Sequence, residues 1–427
     1  SMNSVRVLHF ADLHLGMENY GKIDSATGLN QRILDFLKSF STCVDYALEN
    51  DIALVIFAGD AYRTKNPSPT LQREFAKQIR RLTRAGIKVL LLVGNHDVPN
   101  TEKYAHSLAV FDALEVEGVI VARDPRVHII DTHQGKVQVA TLPHFPKSQL
   151  LKLDEYKDKT VEEINQIMAK EIESFVDHLA AEAGRNSEIP SILAAHISVS
   201  TAKLGSEQSI MVGNDLTILP SALLKDEWDY IALGHIHRHQ VLEESPLMIY
   251  SGSIERIDFG EEKEDKGFCV IDLPKNLPAG RAYRKAGRHG GATYKFEKTP
   301  ARRFLSLDIQ CLTTNPTLEV LRSIAEHDVK DTVVRVRIKV PSHLKHLVQR
   351  DEIHKALSSA HYVAYVDIES AGEDVRTRNP NLTEAAGPLV ALEEYLLSRE
   401  DLKERRDELL KFAGELISEL QQVQTNP

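Results

Sequence analysis

Residues 52–60 read Ile52-Ala53-Leu54-Val55-Ile56-Phe57-Ala58-Gly59-Asp60. A continuous apolar run that stops at Gly-Asp reads as a short strand buried on both faces, the kind found inside a helix-covered sheet. Working outward, residues 30–49 carry Ile33, Leu34, Leu37, Phe40, Val44 and Leu48 at helical spacing, and residues 5–10 form a short apolar strand before them. On the other side, Pro69 suits the first turn of a helix over 69–85. A second buried run at 87–93 then ends in Gly94-Asn95-His96-Asp97. This alternation predicts an α/β architecture with both sheet faces covered.

Farther along, strands are expected at 138–142, 191–195, 230–233, 247–250 and 268–272, with a polar helix at 160–183. These elements bound a first domain at 1–275. A linker follows at 276–303, where eight lysines or arginines (Arg281, Arg284, Lys285, Arg288, Lys295, Lys298, Arg302, Arg303) face the single acidic Glu297. Strand, helix, strand, helix, strand over 304–378 predicts a small α+β cap domain. In it Arg335, Arg337 and Lys339 alternate with valines and isoleucine on a half-exposed strand. Residues 382–427 read as a helical tail in which Leu402, Leu409 and Leu416 recur every seven residues.

Composition narrows the class of molecule. The chain has 427 residues, 42% hydrophobic and 27% charged, which is ordinary for a globular protein with a sizeable core. No apolar run approaches the length of a membrane span, so no membrane partner is expected. No basic-then-apolar leader is visible, and a cytoplasmic location is expected. The net charge of −10 argues against a generic nucleic-acid coat while leaving room for a local basic patch. Cys43, Cys269 and Cys311 are widely spaced and odd in number, which predicts buried reduced thiols and no disulfide framework.

Five short polar motifs follow predicted strands: Asp12-Leu13-His14, Gly59-Asp60, Gly94-Asn95-His96-Asp97, Ala195-His196 and Gly234-His235-Ile236-His237. In open α/β sheets, sites form beyond the carboxyl ends of strands. Alone, Asp-x-His is an ordinary loop, Gly-Asp an ordinary turn, and a single histidine after an apolar run an ordinary core residue. The ordered set is far more specific. It offers Asp12, His14, Asp60, Asn95, His196, His235 and His237 as oxygen and nitrogen donors with no thiolate, a mix suited to Mn²⁺, Fe²⁺ or Zn²⁺. Seven donors exceed what one ion takes while leaving room for substrate. Asp60 could bridge two ions about 3.5–4 Å apart. The glycines of the motifs are expected to turn the backbone sharply out of each strand.

These blocks resemble the signature of the calcineurin-like metallophosphoesterases: D-x-H, G-D, G-N-H-D/E, a lone H, and G-H-x-H. The likeness narrows toward the SbcD family of nuclease subunits. It is carried by Pro67-Ser68-Pro69-Thr70, Ala85-Gly86-Ile87, Ala232–Arg238, Tyr250–Glu261 and Lys266-Gly267-Phe268. It is strong over 5–273 and weaker beyond.

The resemblance implies a β-sandwich flanked by helices, with the small cap and helical tail appended. It gives one ion to Asp12, His14, Asp60 and His237, and a second to Asp60, Asn95, His196 and His235. Two divalent ions, manganese first among them, would be the cofactors. His96 would take the catalytic role with Asp97 orienting it. The implied activity is metal-dependent hydrolysis of DNA, exonucleolytic on duplexes and endonucleolytic on single strands or hairpins, in DNA end processing, repair and recombination. DNA and the SMC-like ATPase SbcC would be the partners, and a homodimer is compatible with the resemblance. Arg63 replaces a histidine of the archaeal and eukaryotic relatives and is expected to meet a DNA phosphate, as are Arg281, Arg284, Lys285 and Arg288. Leu402, Leu409 and Leu416 are expected to dock on the ATPase.

The metal motifs alone leave other phosphoesterases open, such as a protein phosphatase or a cyclic-nucleotide phosphodiesterase. A binding module on a decayed fold would be expected to have lost ligands, and all seven are present. His239, two residues after His237, is expected to be solvent-exposed or to support the site from behind.

Overall fold

A computed structural model describes residues 4–97, 106–144, 159–204, 216–275 and 291–371, together with 392, 396, 406, 407 and 409–414. In chain order the elements begin with β1 (Ser4–Phe10), α1 (Gln31–Glu49), β2 (Leu54–Phe57), α2 (Pro69–Arg84), β3 (Lys88–Leu92), α3 (Ala109–Ala113) and β4 (Val119–Ala122). Next come β5 (Arg126–Thr132), β6 (Gly135–Leu142), α4 (Val161–Ala183), β7 (Ser191–His196), β8 (Ser198–Val199), β9 (Thr217–Ile218), α5 (Pro220–Leu223) and β10 (Tyr230–Gly234). The last are β11 (Gln240–Glu244), β12 (Leu247–Tyr250), β13 (Gly267–Pro274), β14 (Thr293–Lys298), β15 (Phe304–Gln310), α6 (Pro316–Ala325), β16 (Val333–Pro341), α7 (Arg350–Ala356) and β17 (Tyr362–Ala371).

Two six-stranded sheets dominate. Their orders are β14-β13-β1-β2-β3-β4 and β11-β12-β10-β7-β6-β5. Strands β1 to β4 run parallel to one another, as do β6, β7, β10 and β12, so most strand ends that carry motifs emerge on one side of each sheet. One apolar layer joins the sheets: Val5, Val7, Leu54, Ile56, Leu90 and Leu92 of the first meet Val137, Val139, Ile192, Ala194, Tyr230 and Ile249 of the second. The outer face of the first sheet packs on α1 and α2 through Phe36, Phe40, Phe75 and Ile79. The outer face of the second packs on α4 through Ile164, Met168, Ile172 and Val176. The result is a helix–sheet–sheet–helix sandwich, which explains why the central strands read as unbroken apolar runs.

Local sequence signals set the helix starts. Asn30 accepts from the Arg32 amide at 2.8 Å, and Ser68 caps α2 one residue before Pro69. Thr160 and Glu163 form a reciprocal capping box at 3.2 and 2.8 Å. The three cysteines are free and buried. Among the described residues, no helix is long and apolar enough to cross a membrane.

The chain divides into two compact units. The larger is Ser1–Ile309, Val320–Arg337 and Gln349–Asp367; the smaller is Gln310–Glu319, Ile338–Val348 and Ile368–Pro427. Inside the larger unit, Phe304 at the start of β15 meets Tyr20 and Phe259 edge-on, at 5.6 and 5.0 Å between ring centres. Inside the smaller unit, the Cys311 amide donates to the Lys339 carbonyl at 2.8 Å, and Thr317 donates to the Leu347 carbonyl at 2.9 Å.

The segment read as a basic linker is partly a strand. Residues 293–298 form β14 on the edge of the first sheet, antiparallel to β13. Charged side chains on such an edge guard it against pairing with other chains. The four described cations of the basic run all have carboxylate partners: Lys295 with Glu297, Lys298 with Asp265, Arg302 with Asp35, and Arg303 with Asp328. Arg335 donates to Ser306 at 2.8 Å and lies 4.4 Å from the centre of the Phe259 ring, and Arg337 grips Asp308 with two bonds at 2.6 and 2.9 Å. Each of these cations thus has a partner within the chain. Arg281, Arg284, Lys285 and Arg288 lie outside the described residues, as do Leu402 and Leu416, while Leu409 is helical and half-buried.

Candidate metal centre

The polar motifs leave the strands at neighbouring positions. Asp12 and His14 follow β1, Asp60 follows β2, Asn95 follows β3, His196 ends β7, and His235 and His237 follow β10. The loops are stitched together by backbone bonds of 3.0 Å from Asp12 to the Gly59 carbonyl, His14 to that of Asp60, and Leu15 to that of Ala61. Across the sandwich, the His235 amide donates to both Asp12 carboxylate oxygens at 3.0 and 3.1 Å.

Forcing so many side chains inward strains the backbone. Asp12, His14, Asp60 and His235 all have left-handed φ, at 53°, 46°, 62° and 98°. Such residues cost of order 1–3 kcal/mol each and persist only where the surroundings over-determine them. The glycines work differently from the sharp turns expected of all of them. Gly59 does have φ +102°, but Gly94 is needed for close approach: a Cβ there would lie 2.3 Å from an Asp60 carboxylate oxygen. At Gly59 a Cβ would also lie 2.2 Å from His196 Nδ1. Gly59→Ala is therefore expected to lower stability by about 1–3 kcal/mol and to displace His196. Thermal unfolding and ion uptake check this; if both stay at wild-type values, the loop absorbs the methyl.

The seven candidate ligands converge. Asp12, His14 and His237 form one group of donor atoms within 4.8 Å of one another, and Asp60, His196 and His235 form a second. Asn95 Oδ1 lies 2.8 Å from His196 Nε2 and 3.0 Å from His235 Nδ1, which places it with the second group. His14 Nε2 faces His237 Nε2 at 3.0 Å. Asp60 Oδ2 stands between the groups, 3.6 Å from His14 Nε2 and 3.4 Å from His196 Nε2.

The protonation logic of this cluster calls for cations. His196 Nδ1 lies 2.7 Å from the Ala58 carbonyl, which can only accept, so that nitrogen carries a hydrogen. In the neutral ring, Nε2 then presents a lone pair to oxygen acceptors on Asn95 and Asp60. Without a metal, a proton must fill this role: burial opposes it, yet Asp60 drives the His196 pKa up to about 9. Burial likewise would raise Asp60, but His196, His14 and His96 hold its carboxyl well below the usual range. Burial pushes Asp12 up to about 6 and pulls His14 well below the ordinary histidine value. A buried set of facing lone pairs with no thiolate fits divalent cations of the Mn²⁺, Fe²⁺ or Zn²⁺ class.

His96 sits beside this cluster. Its ring stands perpendicular to that of His14 with centres 4.8 Å apart, and its Nδ1 is 3.2 Å from the Arg63 carbonyl. Its own amide donates to Asp60 Oδ1 at 2.9 Å. Burial lowers its pKa.

Asp97 differs from expectation. Its carboxylate does not orient the His96 ring but accepts from the amides of Gly94, Asp60 and Ala61 at 3.0, 3.0 and 3.1 Å, and from the Ser107 hydroxyl at 3.1 Å. It therefore acts on the backbone of two ligand loops. Burial, with Asp60 nearby, raises its pKa to about 7.

Arg63 is exposed at the rim, and its positive charge is felt by both His14 and His96. His239 is packed away from the centre, stacked on Phe296 at 4.0 Å with its Nδ1 on the Tyr250 carbonyl at 3.0 Å. It is partly buried, neither solvent-exposed nor in contact with the ligands. One functional candidate was not assigned from sequence: the buried Glu261, whose Oε1 lies 3.0 Å from His237 Nδ1. It belongs to the stretch Tyr250–Glu261, where nothing local marks a glutamate as facing inward.

Comparison with known proteins agrees with this geometry. Residues 5–239 match the family profile described as calcineurin-like phosphoesterase. The chain is 27% identical over 273 residues to the SbcD component of the nuclease SbcCD of Bacillus subtilis, covering 63% of this chain and 66% of that protein. It is 26% identical over 276 residues to the same component in Staphylococcus epidermidis, covering 64% and 67%. It is also 26% identical over 276 residues to the DNA double-strand break repair protein Mre11 of Thermoplasma acidophilum, covering 62% and 61%. The matched region thus spans about two thirds, or somewhat less, of these relatives.

Proposed function

Because the chain belongs to the calcineurin-like phosphoesterase family, we propose that it is a divalent-metal-dependent nuclease that hydrolyses phosphodiesters of DNA. The observation that carries this reading is Asp60 Oδ2, placed between two buried histidine groups whose lone pairs face acceptors. The names of the similar proteins, a nuclease component and a break-repair protein, favour DNA over a phosphoprotein or a cyclic nucleotide.

Asp12, His14, Asp60 and His237 would hold one ion, and Asp60, Asn95, His196 and His235 the other; manganese is the ion we assign. When bound, such a pair activates water at neutral pH and neutralises charge on the phosphate. The chain's own residues supply the rest. The bonds from His235 to Asp12 and from Asp97 to three amides fix the ligand loops before substrate arrives, so little reorganisation accompanies reaction. His96, held through Nδ1, would act in its doubly protonated form, giving the Nε2 proton to the departing ester oxygen and reverting to the neutral ring. Arg63 at the rim would meet a neighbouring phosphate. The SMC-like ATPase SbcC would be the partner, bound by the tail that contains Leu402, Leu409 and Leu416. Three buried free thiols suit the reducing cytoplasm.

The test is purified protein with Mn²⁺ on linear duplex DNA, single-stranded and hairpin DNA, a cyclic nucleotide and a phosphoprotein. Cleavage of DNA is expected; turnover of the phosphoprotein or cyclic nucleotide alone would move the assignment to another phosphoesterase. Truncation after Asn381 is expected to leave metal-dependent cleavage of single strands intact and to abolish binding of the ATPase. Pull-down of the ATPase at full affinity by the truncated chain would rule out the tail as its site.

A further inference from the structure

We propose that Glu261, paired with Lys266, is a positioning residue that fixes the tautomer and orientation of His237 and thereby sets the affinity of one of the two ion sites. This deepens the proposed function and rests on its two-ion reading.

The geometry is closed on every side. Glu261 and Lys266 are both buried, with side-chain exposures of 0%. Glu261 Oε1 accepts from His237 Nδ1 at 3.0 Å, while Oε2 lies 2.9 Å from Lys266 Nζ and accepts from the Ile257 amide at 3.1 Å. Lys266 Nζ also donates to Glu264 Oε2 at 2.8 Å and to the His237 carbonyl at 3.0 Å. One lysine thus grips the histidine twice, through its main chain and, by way of Glu261, through its ring.

The consequence for His237 is specific. A carboxylate on Nδ1 keeps the hydrogen there and leaves Nε2 unprotonated, and Nε2 is the nitrogen that faces His14. It also makes the ring a stronger electron donor, as carboxylates behind metal-binding histidines do. Lys266 Nζ, 2.9 Å from Oε2, supplies the counter-charge that a buried carboxylate requires. Among the described residues, no corresponding carboxylate backs His196, whose Nδ1 rests on the Ala58 carbonyl. His237 and His196 are therefore backed by different groups, a carboxylate and a backbone carbonyl.

The loop that carries Glu261 is pinned by other residues. Arg256 donates to the carbonyls of Glu261, Glu264 and Arg302 at 3.2, 2.7 and 3.1 Å. Glu262 accepts from the Ser306 amide and hydroxyl at 3.0 and 2.5 Å. Glu261 is thus held in register whether or not His237 has an ion.

The test is Mn²⁺ titration of the full chain by calorimetry, with ion content checked by mass spectrometry. Glu261→Gln keeps the shape of the side chain and removes its charge. Wild type is expected to take up two ions, and Glu261→Gln to bind one of them about 10–100-fold more weakly with the other unchanged. Because Glu261→Gln leaves Lys266 with a weakened partnership, the double variant Glu261→Gln/Lys266→Met is measured beside it and should show the same selective loss. Glu261→Asp, which keeps the charge, should recover part of the affinity. Two ions bound by Glu261→Gln at wild-type affinity would overturn the inference and leave the two-ion reading standing. Fewer than two ions in the wild type would overturn the two-ion reading itself, and the inference with it.

Discussion

Asp60→Asn is expected to abolish hydrolysis and to lower uptake of both ions. Among the described residues, no other side chain reaches both donor groups as this one does: Oδ2 lies within 3.6 Å of His14 and 3.4 Å of His196, while Oδ1 accepts from the His96 amide. Asparagine keeps the volume and can keep the amide contact. It cannot keep the charge, and its amino group would point hydrogens either at unprotonated histidine nitrogens or at the His96 amide. Removing a bridging charge at a metal pair forfeits several kcal/mol of stabilisation, which corresponds to at least about 10³-fold in rate. Folding should survive, because Asp97 still ties the Asp60 and Ala61 amides to Gly94. Metal content after Mn²⁺ loading, read with cleavage of single-stranded DNA, decides the matter. A variant that retains two ions and a tenth of the activity would show that Asp60 does not bridge.

Much of the sandwich can be read from its central strands. Residues 54–57, 89–92 and 192–195 are buried on both faces, so their sequences carry no competing polar pattern. Edge strands are different. β4, β5, β11 and β14 are half exposed, short or charged, and their residues serve solvent on one side. Nothing in Thr293-Tyr294-Lys295-Phe296-Glu297-Lys298 distinguishes a guarded edge from a basic linker until β13 is found beside it. Motifs at strand ends are legible because topology alone brings them to one crevice. The groups behind them are not: Glu261 reaches His237 across 24 residues and Asp97 reaches Asp60 across 37, distances that no local pattern encodes. Charge counts mislead for a related reason, since Arg302 is already committed to Asp35, 267 positions away.

His96→Ala is expected to leave ion binding close to wild type and to lower turnover by about 10²–10⁴-fold, the span of a lost general acid or base. Two features of the geometry lead to this outcome. The ring is attached to the protein by Nδ1 at the Arg63 carbonyl, a contact that makes no demand on the ions. Yet one ring nitrogen lies within 4.8 Å of donor atoms on both His14 and Asp60, close enough for His96 to compete as an additional ligand. The two roles separate experimentally. A ligand lost to alanine weakens Mn²⁺ uptake and activity together, and excess Mn²⁺ restores both. A proton donor lost to alanine leaves uptake intact, and excess metal restores nothing. Added imidazole should then recover part of the rate, because the alanine cavity opens beside His14 at the cluster. The backbone amide of residue 96 persists in the variant, so the bond to Asp60 Oδ1 and the loop it anchors remain. Loss of an ion from the His96→Ala protein would place the ring among the ligands and leave the leaving group to water or to Arg63.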